Sequence, residues 1–327
     1  RISYHCPVVM PMFSSGIVYF LARPSMLDSA FIPPMINGVT ASKVFLPQLA
    51  VCPQSLYAYL VENFAHIAAS EWQQRFASGL IYNHLGEKLH LDSPYTPNQH
   101  VFYYRFLAHE IEVPFAHHIV FENEHLLVVD KPHFLTMSPT GQYVQQTLLV
   151  RLKQQTQNPD LTPIHRLDRE TAGLVLFSKQ VASRGVYQQM FAERLVEKTY
   201  HAIAPYRADL SFPQQVCLNM QKGEPFYTMQ VVDGTPNSET RIHLLEHNQQ
   251  FAKYELHPKT GKQHQLRVHL NHLGIAILND PFYPHVYHKA DDDFSAPLQL
   301  LAQQIAFIDP ISKAPMQFSS SFQLSLP

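Results

Sequence analysis

The sequence predicts an α+β protein with a small N-terminal α/β module and a larger C-terminal domain. Three observations favour this fold class. Short strand-like apolar stretches recur along the chain, amphipathic stretches with helical spacing lie between them, and the patterning changes near residue 110. With 327 residues and 46% apolar side chains, the chain can bury one large core and a second, smaller one.

The N-terminal third of the chain has two predicted parts. Residues 1–48 are rich in proline and small residues, so we expect an irregular extension there. Residues 49–110 are expected to form the small module. Within it, 55–65 has helical spacing, Ser70 is a candidate N-cap for a second helix, and 80–106 has the alternation of short strands.

The larger domain is predicted to occupy residues 111–327. Its expected elements are a hairpin at 119–132, helices at 147–157, 180–194 and 263–274, strands at 173–179, 197–205 and 274–280, and a hairpin at 240–258. The run GLVLFSK at 173–179 is almost uniformly apolar, which is typical of a strand in the centre of a sheet.

Composition limits the function classes. A formal charge of −2 excludes a broad basic surface, so any binding of a polyanion must depend on a local groove. Three widely separated cysteines, Cys6, Cys52 and Cys217, fit neither a disulfide framework nor a zinc site. That usage is typical of a reducing compartment, and we predict a cytoplasmic protein. No apolar run approaches the roughly 20 residues that span a bilayer, so we expect no membrane association.

The densest group of charges is HRLDRE, immediately before the predicted central strand. Asp168 lies between Arg166 and Arg169, whose positive charges would favour its ionised form. An ionised carboxylate at the mouth of a sheet can be a nucleophile or an electrostatic stabiliser. The alternative is a solvated turn in which Asp168 pairs with Arg169. A kinase loop is excluded because Leu167 separates the first arginine from the aspartate.

Two further stretches are candidates for chemistry. In HPKTGKQHQLRVHL, a tight turn at 260–262 leads into a helix, and its backbone N–H groups with Lys262 suit an anion such as phosphate. Arg267 on that helix could point inward and bind a buried carboxylate in a bidentate pair, or lie on the surface. In EKTYHAI, Tyr200 is either a site residue or an ordinary sheet residue.

The three stretches, in this order, resemble the RluA-type family of RNA pseudouridine synthases. VVDKP (128–132) and PLQLLAQQIAFIDP (297–310) match the flanks of the family pattern, and the resemblance covers about residues 115–315. The departures are Ala172, Lys262, Asn279 and Leu301, where serine, arginine, glycine and histidine are usual.

The resemblance implies a large mixed, mainly antiparallel sheet surrounded by helices, and an enzyme that isomerises uridine in RNA without a metal or organic cofactor. Asp168 carries over as the essential aspartate, acting on either the sugar or the base. Arg267 carries over as its partner, and Tyr200 as the ring that packs on the target uracil. Arg166 carries over as the residue that fills the gap left by a flipped base, which costs a few kcal/mol to extrude. Lys262 remains a candidate for RNA phosphate.

The expected partner is ribosomal or transfer RNA, and the expected oligomeric state is a monomer. The N-terminal module loosely resembles the αL RNA-binding domain that many relatives carry. Residues 1–110 hold six Lys or Arg and six Asp or Glu, so we expect a degenerate module with few phosphate contacts. Two other functions stay open: an RNA-binding protein that has lost the activity, and a hydrolase that uses Asp168.

Overall fold

The computed structural model of the protein describes residues 31–105, 107 and 109–327. Most of the predicted N-terminal extension therefore lies outside the described residues. None of the helices in the described part of the chain combines the length and the apolar character that crossing a membrane requires.

The N-terminal module is a three-stranded antiparallel sheet covered by two helices. Its elements are β1 (Ser42–Leu46), α1 (Leu56–Asn63), α2 (Ala69–Ala77), β2 (Ile81–Tyr82) and β3 (Gln99–Tyr103), with strand order β1-β3-β2. Trp72 and Leu60 are fully buried between the helices and the sheet. The central strand β3 pairs with β1 on one side and with β2 on the other.

The expected N-terminal extension is partly ordered, since β1 lies within it and pairs with β3 along its whole length. One local prediction for this module is wrong. The predicted cap Ser70 lies inside α2, which begins after Ala68 without any side-chain cap. The first helix does agree with its pattern, because the Ser55 hydroxyl accepts the Ala58 N–H at 3.1 Å.

The larger domain is built on one extensive sheet. Its elements, in chain order, are β4 (His118–Glu122), β5 (Leu126–Lys131), α3 (Leu148–Thr156), β6 (Thr162–Pro163), β7 (Ala172–Ser178), α4 (Val181–Ala192), β8 (Glu197–Pro205), β9 (Gln214–Lys222), β10 (Met229–Val232), β11 (Ser238–His247), β12 (Phe251–Pro258), α5 (Gln265–His272), β13 (Leu300–Ile308) and β14 (Pro315–Ser319).

The predicted large, mixed, mainly antiparallel sheet is confirmed. Eleven strands follow the order β10-β9-β11-β12-β8-β13-β7-β5-β4, with β14 beside β13 and β6 beside β7. Every pairing is antiparallel except β13 with β7. The two predicted hairpins are β4–β5 and β11–β12.

Strand β7 lies in the middle of the sheet and is buried on both faces, as its uniform apolar sequence predicts. Val175 and Phe177 pack into the core on one face, and Leu174 and Leu176 into the core on the other. Gly173 has φ +112°, and a Cβ there would approach the Ala302 carbonyl oxygen to 2.3 Å. Only glycine allows β13 to come this close to the start of β7.

The strand predicted at 274–280 is wrong. Ile275 and Ile277 are buried, which explains the apolar pattern, but they belong to a loop that packs against the sheet. Asn279 has φ +63°, and the Asp280 N–H donates to the Ile277 carbonyl, so the chain turns before the aspartate. Asparagine tolerates the left-handed region better than most residues, which suits a position where glycine is usual.

The N-terminal module is attached to the larger domain through α3. Val39 and Tyr104 pack against Val150 of that helix. The Glu110 carboxylate accepts the backbone N–H groups of three consecutive residues, 144–146, at 2.6 to 2.9 Å. The proposed boundary at residue 110 thus falls on a residue that is hydrogen-bonded into the larger domain, and the domain division stays a prediction.

Candidate active site

A cleft of about 760 Å³ opens between the 164–171 loop, the end of α4, strand β8 and the turn that precedes α5. Its lining includes all five residues predicted from the sequence: Arg166, Asp168, Tyr200, Lys262 and Arg267. Residues that are up to 101 positions apart in the chain therefore meet in one place, as the family resemblance implies.

The loop that carries Asp168 is held by contacts with the sheet, α4 and the core. The His165 Nε2 atom accepts the Leu176 N–H of β7 at 3.1 Å, and its ring stacks on Phe191. Because Nε2 is the acceptor, the neutral ring carries its proton on Nδ1. Leu167 is buried in the core beneath the loop. The loop is thereby tied to both the sheet and α4.

Lys131, at the end of β5, supports the same loop from inside. Its ammonium group is fully buried and donates to the carbonyl oxygens of Arg169, Pro132 and Leu135, at 3.1, 3.0 and 2.9 Å. Burial lowers the pKa of Lys131 to about 7, while the charges of Glu170 and Asp168 oppose that shift. Three carbonyl acceptors match the three protons of the ammonium form, so the charged form suits this geometry.

The arrangement of Arg169 differs from the prediction. Its guanidinium forms a salt bridge with Glu170 at 2.6 Å and lies over the ring of Tyr143. Within the described residues, Asp168 forms its salt bridge with Arg267, and His264 lies 3.8 Å from the same carboxylate oxygen. The expected turn salt bridge between Asp168 and Arg169 is therefore wrong.

Arg267 is the buried partner of Asp168. Its side chain is 1% exposed, and Nη1 lies 3.3 Å from Asp168 Oδ2. The predicted bidentate pair is formed with another carboxylate, because Nε and Nη2 donate to the two oxygens of Asp280 at 2.8 and 2.6 Å. Burial by itself would lower the pKa of Arg267, but hydrogen bonds to Asp280 and the charges of Asp280 and Asp168 raise it above its usual value.

Asp280 was missed as a site residue. It is fully buried at the side chain and also accepts the backbone N–H groups of Phe282 and Tyr283. The sequence does contain a signal for a buried aspartate, because Asp280 follows the apolar run 274–278 and Asn279. A solvent-exposed aspartate is not expected at the end of such a run. A buried carboxylate needs a cationic partner, and Arg267 is that partner.

Tyr200 projects from the middle of β8 and packs against the cores on both sides of the strand. Burial, and after it the charge of Asp168, raises the pKa of Tyr200 well above its usual value. The side chain is therefore a neutral phenol at physiological pH.

The turn before α5 only partly fits the predicted phosphate site. The Lys262 N–H already donates to the Gln265 side-chain oxygen at 3.1 Å, and the Thr260 hydroxyl donates to the same oxygen. These donors are used within the protein. The exposed Lys262 side chain lines the cleft and keeps its ammonium group for an anion.

His264 is a second residue that sequence reasoning missed, although it lies inside the motif. It is buried, its Nε2 is 3.8 Å from Asp168 Oδ2, and its Nδ1 is 2.9 Å from the Tyr283 hydroxyl. Burial lowers its pKa to about 4, with Arg267 adding to the effect and Asp168 opposing it. The ring is neutral at pH 7. Within the described residues, no cluster of three His, Cys, Asp or Glu side chains has metal-binding geometry.

Comparison with known proteins identifies the RNA pseudouridine synthase family that the sequence motifs resemble. The sequence model described as RNA pseudouridylate synthase matches residues 125–272. The dual-specificity RNA pseudouridine synthase RluA of Pasteurella multocida is 32% identical over 220 residues, covering 62% of this chain and 91% of the relative. RluA of Yersinia pestis is 30% identical over 215 residues, covering 61% of this chain and 96% of the relative.

Other relatives share a smaller part. Human pseudouridylate synthase RPUSD2 is 35% identical over 172 residues, which are 50% of this chain but 30% of the human protein. The chain thus matches less than a third of that relative. The solved structure of human RNA pseudouridylate synthase domain containing 1 superposes with a TM-score of 0.52, at 24% identity, over 63% of this chain and 84% of that one. This likeness shows a shared fold.

Replacing Asp280 with asparagine should destabilise the protein. Asp280→Asn leaves the buried Arg267 with Asp168 as its remaining carboxylate partner, so we expect a loss of about 3–5 kcal/mol in the free energy of unfolding. Urea denaturation at pH 7 measures the change. The exposed Asp292→Asn is the control and should stay within about 0.5 kcal/mol of the original protein. A loss below about 1 kcal/mol for Asp280→Asn would contradict the role of this pair.

Stability should fall as the pH is lowered from 7 to 5. Burial lowers the pKa of His133, His264 and His269 to about 4 and that of His165 to about 3. The unfolded chain binds these protons below about 6.5, where the folded protein still does not. Their contribution is therefore complete above about pH 6.5 and is lost as the pH falls toward 4, at about 1.4 kcal/mol per pH unit per histidine.

Urea denaturation at several pH values measures this slope. His269→Gln removes one of these groups and should reduce the slope by about 1.4 kcal/mol per pH unit. A free energy of unfolding that stays constant between pH 7 and 5 would rule out four neutral buried histidines.

Proposed function

Because the chain belongs to the RluA-type family of RNA pseudouridine synthases, we propose that it isomerises specific uridines of ribosomal or transfer RNA to pseudouridine. The observation that carries this proposal is the contact between Arg267 and Asp168 in an open cleft, with an exposed arginine, Arg166, beside it. The RNA class and the particular uridine belong to the proposal, since loop shape and splayed bases set specificity in RNA.

The reaction breaks the bond between the ribose and ring nitrogen 1, turns the uracil, and forms a bond from the ribose to ring carbon 5. The proton on carbon 5 leaves, and nitrogen 1 gains one, so the product is an isomer. We assign the central role to Asp168, as a nucleophile toward the sugar or the base or as a proton acceptor. Its side chain is 22% exposed, which allows contact with a substrate in the cleft.

Arg267 holds the Asp168 carboxylate in place at the cleft. The guanidinium itself is held by Asp280 through two parallel hydrogen bonds, so it can meet Asp168 without moving. Preorganised charge of this kind needs no rearrangement during the reaction.

Tyr200 packs its ring on the target uracil and assists removal of the carbon 5 proton. Since its pKa is raised, it acts as a neutral hydrogen-bonding group and not as a phenolate base. Arg166 is exposed at the cleft and fills the gap left by the flipped uridine, where a planar guanidinium can stack and donate hydrogen bonds. Lys262 binds an RNA phosphate next to the target.

The N-terminal module is proposed to shape and stabilise the protein more than to grip RNA. Its exposed basic residues, Lys43, Lys88 and Arg105, are few, and the module packs against α3 through apolar side chains. The exposed, unpaired thiols of Cys52 and Cys217 suit the proposed cytoplasmic location, and the monomeric state stays a prediction.

Asp168→Asn should abolish activity while leaving binding intact. Tritium release from RNA labelled at carbon 5 of uridine measures the reaction, and filter binding measures affinity for the same RNA. We expect no release above background and an affinity within about threefold of the original protein, because one small side chain in the cleft changes few phosphate contacts. Asp292→Asn is the matched control and should release tritium normally.

The same assay separates the competing functions. A protein that binds RNA but has lost the activity would bind the labelled RNA without releasing tritium even with Asp168 present. A hydrolase would convert its own substrate and give no carbon 5 exchange. Either result with the unmodified protein would refute the proposed isomerase.

The role of the N-terminal module can be tested with the full chain. The double variant Lys43→Gln with Lys88→Gln should reduce RNA affinity by less than about tenfold, or roughly 1.4 kcal/mol. Lys262→Gln in the cleft should cost at least as much with a single substitution. A loss beyond tenfold for the double variant would show that the module is a main RNA-binding surface.

A further inference from the structure

Two hydrogen bonds lead from the β9–β10 hairpin to His264, whose ring lies close to Asp168. The Met229 N–H, at the start of β10, donates to the Tyr283 hydroxyl oxygen at 2.8 Å. The same hydroxyl lies 2.9 Å from His264 Nδ1. On the other side of the ring, His264 Nε2 faces Asp168 Oδ2 at 3.8 Å. Side chains of two different loops thus connect a surface hairpin to the proposed catalytic carboxylate.

The partners of His264 determine which of its nitrogens carries the proton. The ring is neutral at pH 7, so it has one N–H. A lone pair on Nε2 would face the carboxylate of Asp168 and be repelled, so the proton belongs on Nε2. Nδ1 is then an acceptor and takes the hydroxyl proton of Tyr283. That assignment leaves the Tyr283 oxygen free to accept the Met229 N–H, as observed.

The hairpin has a second link to the same turn and an aromatic side chain in solvent. The Gln263 side-chain amide donates to the Tyr227 carbonyl oxygen at 3.2 Å. Phe226, next to it, is 75% exposed. Tyr227 in turn packs on Phe282, one residue before Tyr283. Gln263 lines the cleft, so this hydrogen bond connects the hairpin to the cleft wall, and an exposed aromatic ring on the hairpin can stack on a base.

We propose that His264 is a positioning residue that orients Asp168 through its Nε2–H, and that Tyr283 couples this orientation to RNA contacts made by Phe226 on the hairpin. The inference rests on the proposed function and adds a means by which bound RNA is sensed at the carboxylate. Displacement of the hairpin moves the Met229 N–H, which changes the hydrogen bond of Tyr283 to His264 and hence the ring facing Asp168.

Two substitutions test the positioning role. Tyr283→Phe removes one hydroxyl and keeps the ring, and we expect the single-turnover rate of tritium release to fall about tenfold, as misplacement of a reacting group predicts. RNA affinity should stay within about twofold, because Tyr283 is buried and makes no phosphate contact. His264→Ala should lose about 100-fold, comparable to removal of one preorganised donor. His264→Gln, whose amide can still donate to Asp168, should recover part of that loss.

The pH profile gives a readout that a merely structural role would not change. The charged groups around His264 are Asp168, Arg267, Asp280 and Arg166, and none of them is altered in these variants. Without the Nε2–H donor, the acidic limb of the rate profile should move to higher pH. If His264→Ala and Tyr283→Phe keep the original rate and profile, or lower only RNA affinity or stability, the positioning role is wrong.

The coupling to the hairpin is tested by a double-mutant cycle. Phe226→Ala should slow single-turnover release in the original protein by about fivefold and in Tyr283→Phe by less than twofold, because the second variant has already lost the connection. The matched control is Phe45→Ala, which replaces an exposed phenylalanine on the N-terminal module, far from the hairpin in sequence. It should change the single-turnover rate neither in the original protein nor in Tyr283→Phe. Additive effects of Phe226→Ala and Tyr283→Phe would overturn the coupling.

Nitrogen-15 NMR of histidine-labelled protein tests the tautomer without any activity. The expected result is a neutral His264 with its proton on Nε2 at pH 7, assigned by the signal that His264→Gln removes. A proton on Nδ1 would overturn the proposal. Absence of tritium release from the unmodified protein would overturn the proposed isomerase instead, while the tautomer measurement would still decide the role of His264.

Discussion

The structure depends on one buried cation between two carboxylates. Moving the guanidinium of Arg267 out of water costs several kcal/mol, and this cost is offset only if its hydrogen-bonding positions are filled. Asp280 takes two of them from the loop after α5, and Asp168 approaches a third from the loop before β7. The ion pair therefore connects distant parts of the chain, and Asp168 lies where the arginine needs a partner.

The loop that bears Asp168 is held by the sheet and the core. Lys131 donates to one of its carbonyls, His165 accepts a backbone N–H of β7, and Leu167 enters the core. Flipping a base out of its strand costs a few kcal/mol, and a site that must be organised at the same time would add to that cost. In the proposed reaction, support of the loop by these three side chains would leave the binding energy of RNA available for the uridine.

The pattern of apolar residues predicted helices and strands correctly where burial of side chains alone decides the element. The two-sided burial of β7, the hairpins and α4 follow from apolar spacing, and the structure has them. The strand predicted at 274–280 fails because Ile275 and Ile277 are apolar for contact with the sheet and not for pairing within it. Ser70 fails as a cap because α2 begins without one. The spacing of apolar residues predicts which side chains are buried, but it does not predict which backbone groups form hydrogen bonds with each other.

The sequence by itself determined the family, the sheet type and five of the residues that line the cleft, because short motifs keep their order and their chemical types. Only the tertiary structure decided the pairing of charges. Arg169 turned out to bind Glu170, Arg267 binds Asp280 as well as Asp168, and His264 lies between Asp168 and Tyr283. A charged side chain has several possible partners along the chain, and distance in space, together with burial, selects among them.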